Sequence, residues 1–95
     1  MPAVEDRLAA LGRAVPDVAP PVADYVPATR TGSLVYTSGQ LPLVAGSLMG
    51  TGKVGADVSP EQAAAMAAQC ALNAIAAVRA VIGDLDRVTR VVKVV

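Results

Sequence analysis

Residues 34–42 read LVYTSGQLP, and this short stretch carries more information than any other part of the chain. Leu34–Thr37 favours a pleated strand, because β-branched and aromatic side chains fit a half-buried sheet surface. The strand breaks at Ser38-Gly39-Gln40, where a glycine between two hydrogen-bonding side chains lets a small ligand approach the backbone closely. Pro42 then stops it, since proline has no N–H to give to a ladder. We therefore predict a strand end that can hold a polar ligand.

A second strand-like run lies just upstream and adds a tyrosine to this region. Asp24-Tyr25-Val26 precedes that run, and Arg30-Thr31-Gly32-Ser33 supplies the turn of a hairpin. Folding the two runs against each other brings Tyr25 beside Ser38. We expect this pair to line one pocket.

Short elements and loops account for most of the remaining chain. Val4–Leu11 has acids in its first turn and Gly12 just beyond its end, which predicts a short helix. Arg13–Pro21 contains three prolines and predicts an extended connector. Two short strand ends are expected around an Ala45-Gly46 turn, and Gly50–Gly55 is expected to be a loop.

One long helix is predicted between Ser59 and Gly83. Ser59 is a typical N-cap, followed by a proline at the first helical position and by Gln62, which can complete a capping box. An apolar face is predicted from residues spaced three and four apart. Its members are Ala68, Ala71, Ile75, Val78 and Ile82, with Leu72 alongside.

Two amides lie on the predicted helix, and a valine-rich segment follows it. Gln69 and Asn73 lie four residues apart on what is predicted to be a different helix face, and we expect them to be solvated or bonded to a neighbouring loop rather than catalytic. Val88–Val95 favours a final strand. Strand, helix and strand in one sheet predict an α+β layer in which a right-handed crossover lays the helix across one face and leaves the other uncovered.

Composition predicts a small domain that needs partners. The chain has 95 residues, and although 54% are hydrophobic, Ala and Val supply most of them, with no Trp or Phe. Small side chains bury little apolar area each, so the core of a monomer is expected to be thin. We therefore expect association with further subunits.

Charge and cysteine content exclude several classes of function. Eight basic and eight acidic residues balance, and no basic cluster or aromatic platform is present to track phosphates or stack bases. No nucleic-acid partner is therefore expected. With no His in the chain, Cys70 is expected to be a small buried hydrophobe rather than a nucleophile or metal ligand.

No membrane partner is expected, and the protein is predicted to be cytoplasmic. Acids near the N-terminus stand where a signal peptide would need basic residues followed by an apolar run. Gln69, Asn73 and Arg79 interrupt the longest apolar stretch, so an unbroken apolar span is absent.

The order of these features resembles the RidA (YjgF, endoribonuclease L-PSP) family. Tyr25, a glycine-containing turn, a strand ending in Ser38-Gly39-Gln40-Leu41-Pro42 and a long helix follow one another as in that family, and Leu72-Asn73 and Gly83-Asp84-Leu85 add to the match. The resemblance implies a chorismate-mutase-like α+β fold, an antiparallel or mixed sheet with a long helix on one face. Family members continue past the position of Val95, so the chain is expected to be truncated before the last strands. We therefore expect residues 1–24 to form a short helix and a proline-rich connector, and residues 25–95 to form an incomplete domain.

The resemblance also implies a reaction and a set of site residues. The family hydrolyses reactive enamines and imines to 2-oxo acids and ammonia, in a site between subunits of a homotrimer and without a metal or organic cofactor. Carried over residue by residue, Tyr25 shapes the pocket, while Ser38 and Gly39 offer a hydroxyl and a backbone N–H to an imine or carboxylate ligand. Gln40 completes the motif, either touching the ligand or bracing the turn. For Tyr25 the alternative is an interfacial aromatic with its hydroxyl in water.

No residue of this chain is expected to be catalytic. The family's site arginine and glutamate have no counterpart in these 95 residues, so the chain alone is expected to be a weak catalyst or none. Two other classes stay open. One is a non-catalytic trimer that binds small carboxylates or regulates. The other is a ribonuclease, suggested by the older family name but opposed by the neutral charge and the absence of His.

Overall fold

The computed structural model of the chain describes residues 3–20 and 23–95. The last residue of the predicted connector, Pro21, lies outside these ranges. Within them the elements in chain order are α1 (Ala3–Ala10), β1 (Ala28–Thr31), β2 (Leu34–Thr37), β3 (Leu43–Val44), β4 (Ser47–Leu48), α2 (Pro60–Ile82) and a 3-10 helix (Leu85–Arg87). The architecture is α+β, with two small antiparallel sheets and α2 in contact with β1, β2 and β3. The predicted fold class is confirmed.

The β1–β2 hairpin forms where the sequence predicted it. Its ladder closes at the pair Thr31 and Leu34, and of the two loop residues only Gly32 has a positive φ, 57°, as in a type II′ turn. Because side chains alternate across a strand, Leu34 and Tyr36 share one face of this hairpin. Both are exposed, whereas Val35 on the opposite face is half-buried. The face with Leu34 and Tyr36 is therefore uncovered, as expected.

The β3–β4 hairpin also has the predicted Ala-Gly turn. Ala45 and Gly46 both have positive φ, 49° and 85°, which is the backbone of a type I′ turn. Ala45 is the one non-glycine residue with positive φ in the described part of the chain. The left-handed conformation costs an L-residue roughly 1–2 kcal/mol, so this turn is strained at its first central position.

Helix α2 starts and stops on the chemistry that predicted it. The Ser59 hydroxyl accepts the N–H of Gln62 at 3.1 Å, and the Gln62 side chain accepts the N–H of Ser59 at 2.8 Å, which completes the capping box. At the other end Gly83 adopts φ 82° and donates its N–H to the carbonyl of Arg79 at 2.7 Å. These local bonds satisfy backbone groups that a helix leaves unpaired at its ends.

The buried face of α2 differs from the predicted one. Its buried residues are Leu72, Asn73, Ala76 and Ala77, while Ala71 of the predicted face is exposed. The prediction placed Asn73 on a different face, and this was wrong. An Ala-rich helix has no strongly marked apolar stripe, and Asn73 is buried because the neighbouring loop provides hydrogen-bond acceptors for it.

By length and composition alone, α2 is long and apolar enough to cross a membrane. It has 23 residues and a window of mean hydropathy 1.6. A helix in the core of a domain meets the same test. In the described chain α2 packs against three strands and the 3-10 helix, and its buried Asn73 is bonded to loop backbone.

The predicted final strand is absent from the structure. Residues 88–95 have no regular secondary structure and are exposed, so the strand over Val88–Val95 and its crossover connection were wrong for the described chain. Valine favours a strand only where a neighbouring strand supplies a ladder and a packing surface. Among the described residues no strand pairs with this segment.

The short helix α1 docks at the far end of α2. The Asp86 carboxylate accepts the backbone N–H groups of Ala3 at 2.7 Å and Val4 at 2.9 Å, which caps the start of α1. Glu5 pairs with Arg79 at 3.2 Å. These contacts join residues more than 70 positions apart in sequence. They fix one end of the connector that leads from α1 to the hairpin.

Candidate functional site

Three of the four predicted site residues line one small depression at the end of the β1–β2 hairpin. Its walls come from the connector, the segment before β1 and the segment after β2. The lining residues are Ala19, Pro20, Tyr25, Pro27, Gly39, Gln40, Leu41 and Leu43. The depression has a volume of about 10 Å³, which is room for a single water molecule. Tyr25, Gly39 and Gln40 are thus brought together, and Ser38 lies directly beside them.

Ser38 is tied to the chain segment that carries Tyr25. The carbonyl of Pro27 accepts both the backbone N–H of Ser38 at 2.9 Å and its hydroxyl at 3.2 Å. Tyr25 is two residues before Pro27, so this double contact holds the two halves of the hairpin end together. The Ser38 hydroxyl oxygen keeps its lone pairs and can still accept a hydrogen bond.

Tyr25 stands at the rim of the depression. It is 39% exposed, and among the described hydrogen bonds its hydroxyl has no partner. Only its backbone N–H is bonded, to the carbonyl of Ala23 at 2.9 Å. The ring therefore supplies an apolar wall with a phenol group that is available to a ligand.

Gly39 and Gln40 supply backbone donors and open space. A Cβ built on Gly39 would meet nothing within 4 Å, so this glycine leaves room that the protein itself does not fill. In the described residues no acceptor receives the N–H of Gly39 or of Gln40. The Gln40 side chain donates to the carbonyl of Ser38 at 3.3 Å, which is the turn-bracing role that the sequence left open.

Two amides on α2 hold the segment that follows these residues. Asn73 is 1% exposed and donates to the carbonyls of Leu41 at 3.0 Å and Leu43 at 3.1 Å. Gln69 donates to the same Leu43 carbonyl at 3.2 Å and to the Asn73 side-chain oxygen at 3.1 Å. The expectation that this pair bonds to a neighbouring loop is confirmed. Its link to the candidate site was missed, although the i, i+4 spacing of two amides was the available signal.

A wider groove adjoins the depression along the connector. It has a volume of about 370 Å³ and shares Ala19, Pro20 and Leu43 with the depression. Its other lining residues are Pro16, Asp17, Val18, Ala45, Gly46 and Asn73. The proline-rich connector therefore forms a wall of both cavities.

No cation faces either cavity among the described residues, where Asp17 is the one charged lining residue. Arg30 donates to the carbonyl of Gly32, Arg79 pairs with Glu5, and Arg87 donates to the carbonyl of Ile82. Each of these guanidinium groups is engaged away from the site. A carboxylate ligand would here meet neutral donors.

Cys70 lies on α2 and takes no part in the site. Burial raises the pKa of its thiol above the ordinary value, with a smaller opposing effect from a backbone hydrogen bond. It is half-buried, where the sequence predicted a small buried hydrophobe. Within the described ranges no group of three His, Cys, Asp or Glu side chains is placed to hold a metal ion.

Known proteins are similar to this chain in sequence and in fold. The family model described as "YjgF/chorismate mutase-like, putative endoribonuclease" matches residues 5–95. Protein TCP17 of Trypanosoma cruzi is 40% identical over 92 residues, covering 95% of this chain and 56% of that protein. The crystal structure of Atu1372 from Agrobacterium tumefaciens, a protein of unknown function, has a TM-score of 0.79 at 43% identity, covering 93% of this chain and 52% of that one.

A second solved structure is also similar to this chain in sequence and fold. A putative endoribonuclease from Shewanella oneidensis has a TM-score of 0.82 at 38% identity, covering 87% of this chain and 55% of its own. The chain therefore spans about half the length of the relatives that it matches.

Proposed function

The chain belongs to the YjgF/chorismate mutase-like family, and from this membership we propose that it serves the hydrolysis of reactive enamines and imines to 2-oxo acids and ammonia. The enamine tautomerises to the imine, water adds to the imine carbon, and the C–N bond then breaks with release of ammonia and formation of the oxo group. Such a reaction needs a pocket that orients the imino acid, shields it and places a water. The supporting observation is that Tyr25, Gly39 and Gln40 line one depression and that the N–H groups of Gly39 and Gln40 have no acceptor among the described residues.

Each residue has a role that its surroundings allow. The N–H groups of Gly39 and Gln40 are donors for an anionic ligand oxygen, since no described residue accepts them. The Ser38 hydroxyl, held by the Pro27 carbonyl, can accept a hydrogen bond from the ligand nitrogen or from water. The Tyr25 ring covers one side of the ligand, and its hydroxyl is available to hydrogen-bond the ligand or the attacking water.

We place the complete site at a boundary between subunits of a homotrimer. The accessible surface of the chain is 6726 Å², against about 5,000 Å² for a compact monomer of this mass, so surface is left for further strands or for neighbouring subunits to cover. Leu34 and Tyr36 are 42% and 55% exposed on the uncovered hairpin face. A depression of about 10 Å³ is also too small for an imino acid. A further surface laid against it would turn the depression into an enclosed pocket.

The carboxylate clamp is the part of the site that these residues do not provide. Since no described arginine lines either cavity, and Arg30, Arg79 and Arg87 are engaged elsewhere, the 95-residue chain is expected to be inactive by itself. A form extended by the following segment of a full-length family member is expected to be active. An arginine–carboxylate pair is stronger than bonds to neutral donors, which is why its addition should matter.

The test couples an amino-acid dehydratase to the protein and follows 2-oxo acid formation in the presence of a competing amine trap. The extended form should accelerate oxo-acid formation, the 95-residue chain should not, and Tyr25→Phe should reduce the rate of the extended form. An extended form that gives no acceleration would contradict the proposal. Full activity of the 95-residue chain would contradict the part of the proposal that assigns the carboxylate clamp to the following segment.

A non-catalytic carboxylate-binding trimer is the second candidate. The observation that favours it is the absence of any cationic or basic side chain among the described residues of the depression. Binding of a 2-oxo acid without turnover in the extended form would decide for it. We do not propose ribonuclease activity, because the chain has no His and no excess of basic residues.

A further inference from the structure

The conformation of the candidate site depends on two anchors. On one side the Pro27 carbonyl holds Ser38, and on the other the α2 amides hold the carbonyls of Leu41 and Leu43. Gly39 and Gln40 lie between these anchors, and in the described chain their N–H groups make no hydrogen bond. Their orientation is therefore set from the two ends.

We propose that Asn73 and Gln69 are positioning residues, which fix the Leu41–Leu43 segment and thereby orient Gly39 and Gln40 toward the ligand. The identity of the ligand in this proposal rests on the proposed function, whereas the existence of the anchor does not depend on it. Neither residue lies at the depression where the ligand is placed. They act through the loop backbone.

The geometry requires a side chain with two donors at position 73. The Leu41 and Leu43 carbonyls face α2, and the Asn73 amide offers one N–H to each at 3.0 and 3.1 Å. Gln69 then uses its own amide to bind the Leu43 carbonyl and the Asn73 oxygen. Every buried side-chain polar atom of the described residues is satisfied by this and similar bonds. An apolar residue at 73 would remove the hydrogen bond that α2 donates to the Leu41 carbonyl. It would also remove the oxygen that accepts a hydrogen bond from the Gln69 amide.

An Asn73→Leu variant tests the anchor, with Leu72→Ala as the matched control. Leu72 is the buried neighbour of Asn73 on α2, so its truncation weakens the helix packing without removing a donor from the loop. The reporter is the amide of Leu43, whose N–H is bonded to the Leu41 carbonyl at 2.8 Å. Hydrogen exchange is measured for this amide and for the amides inside α2 in the same sample.

Asn73→Leu should accelerate Leu43 exchange by about tenfold or more relative to the α2 amides, since loss of the donors to these part-buried carbonyls favours local opening. Leu72→Ala should accelerate both together. The Gly39 and Gln40 amide resonances should shift in Asn73→Leu and stay in place in the control. The proposal would be overturned if hydrogen exchange of Leu43 and of the α2 amides were accelerated equally in both variants and the Gly39 and Gln40 resonances did not move.

A milder variant covers the case in which Asn73→Leu does not fold. Gln69→Ala removes one donor from the Leu43 carbonyl, which keeps its bond from Asn73, and should give a smaller acceleration of Leu43 exchange in the same direction. No change in Leu43 exchange in this variant would count against the anchor.

Titration with pyruvate separates the anchor from the proposed function when it is carried out on the extended form, with each substitution made in that form. If the wild type binds pyruvate, Asn73→Leu should bind pyruvate about tenfold more weakly. Leu72→Ala should bind pyruvate as the wild type does, under conditions in which both variants are folded. Unweakened binding in Asn73→Leu would overturn the positioning role. A wild type that binds no pyruvate counts against the proposed function, and the exchange comparison alone then decides the anchor.

Discussion

Replacing Ser38 by alanine separates a structural role of its hydroxyl from a role in ligand binding. The change deletes the bond from the Ser38 hydroxyl to the Pro27 carbonyl at 3.2 Å, but that carbonyl keeps the N–H of Ser38 at 2.9 Å. Because no buried group loses its last partner, the cost in unfolding free energy should lie at the low end for a hydrogen bond, about 0.5 kcal/mol. In a domain of this size that is a drop in Tm of about 2–4 °C.

Activity should respond more strongly than stability. In the extended form, Ser38→Ala should lower kcat/KM for imine hydrolysis by about tenfold or more, or about 1.4 kcal/mol in the transition state. Thermal unfolding at equal protein concentration and the dehydratase-coupled assay measure the two effects. Ser33→Ala is the matched control, because Ser33 is exposed in the hairpin turn and its hydroxyl makes no described hydrogen bond. Unchanged hydrolysis would remove Ser38 from the site, and a drop in Tm above about 8 °C would show that the hydroxyl is chiefly structural.

Two further predictions concern the scaffold. Ala45→Gly should raise the unfolding free energy by about 0.5 kcal/mol, because it relieves a left-handed alanine at some entropic cost. Gly46→Ala should lower the unfolding free energy by about 1 kcal/mol, because residue 46 has φ 85°, although the added methyl group meets no steric clash. Urea unfolding measures both changes, and a lower unfolding free energy in Ala45→Gly would contradict the turn geometry. Asp86 has a pKa held below its ordinary value of 3.8 by the N–H groups of Val4 and then Ala3, so the stability that it gives is present above that value and is lost as the pH falls through the lowered pKa. Exchange protection of α1 should fall over that acid range in the wild type and depend less on pH in Asp86→Asn, and an identical pH profile in the two would be inconsistent with the cap.

Features set by local chemistry could be predicted from the sequence. Ser59 and Gly83 bound α2 because a capping hydroxyl and a residue free to adopt positive φ act within a few residues of the helix ends. The same holds for the turns at Gly32 and at Ala45-Gly46, where the loop length and the glycine fix the hairpin. The gathering of Tyr25, Gly39 and Gln40 follows from the first of these hairpins.

Features that depend on distant parts of the chain could not be predicted. Asn73 is buried because two loop carbonyls some 30 residues away require donors, and periodicity in an Ala-rich helix does not reveal such a requirement. Val88–Val95 has the composition of a strand but no strand to pair with among the described residues. The capping of α1 by Asp86 joins opposite ends of the chain and has no local signal.

The central claim is that a small 2-oxo or imino acid binds where Tyr25 meets Gly39 and Gln40. A crystal structure of the protein in its native assembly, grown with pyruvate, tests this most directly. We predict ligand density against the Gly39 and Gln40 N–H groups, with the Tyr25 ring within contact distance and a neighbouring subunit closing the pocket. Density confined to the groove beside Pro16–Val18, or a Gly39–Gln40 segment that remains empty at saturating pyruvate, would contradict the account.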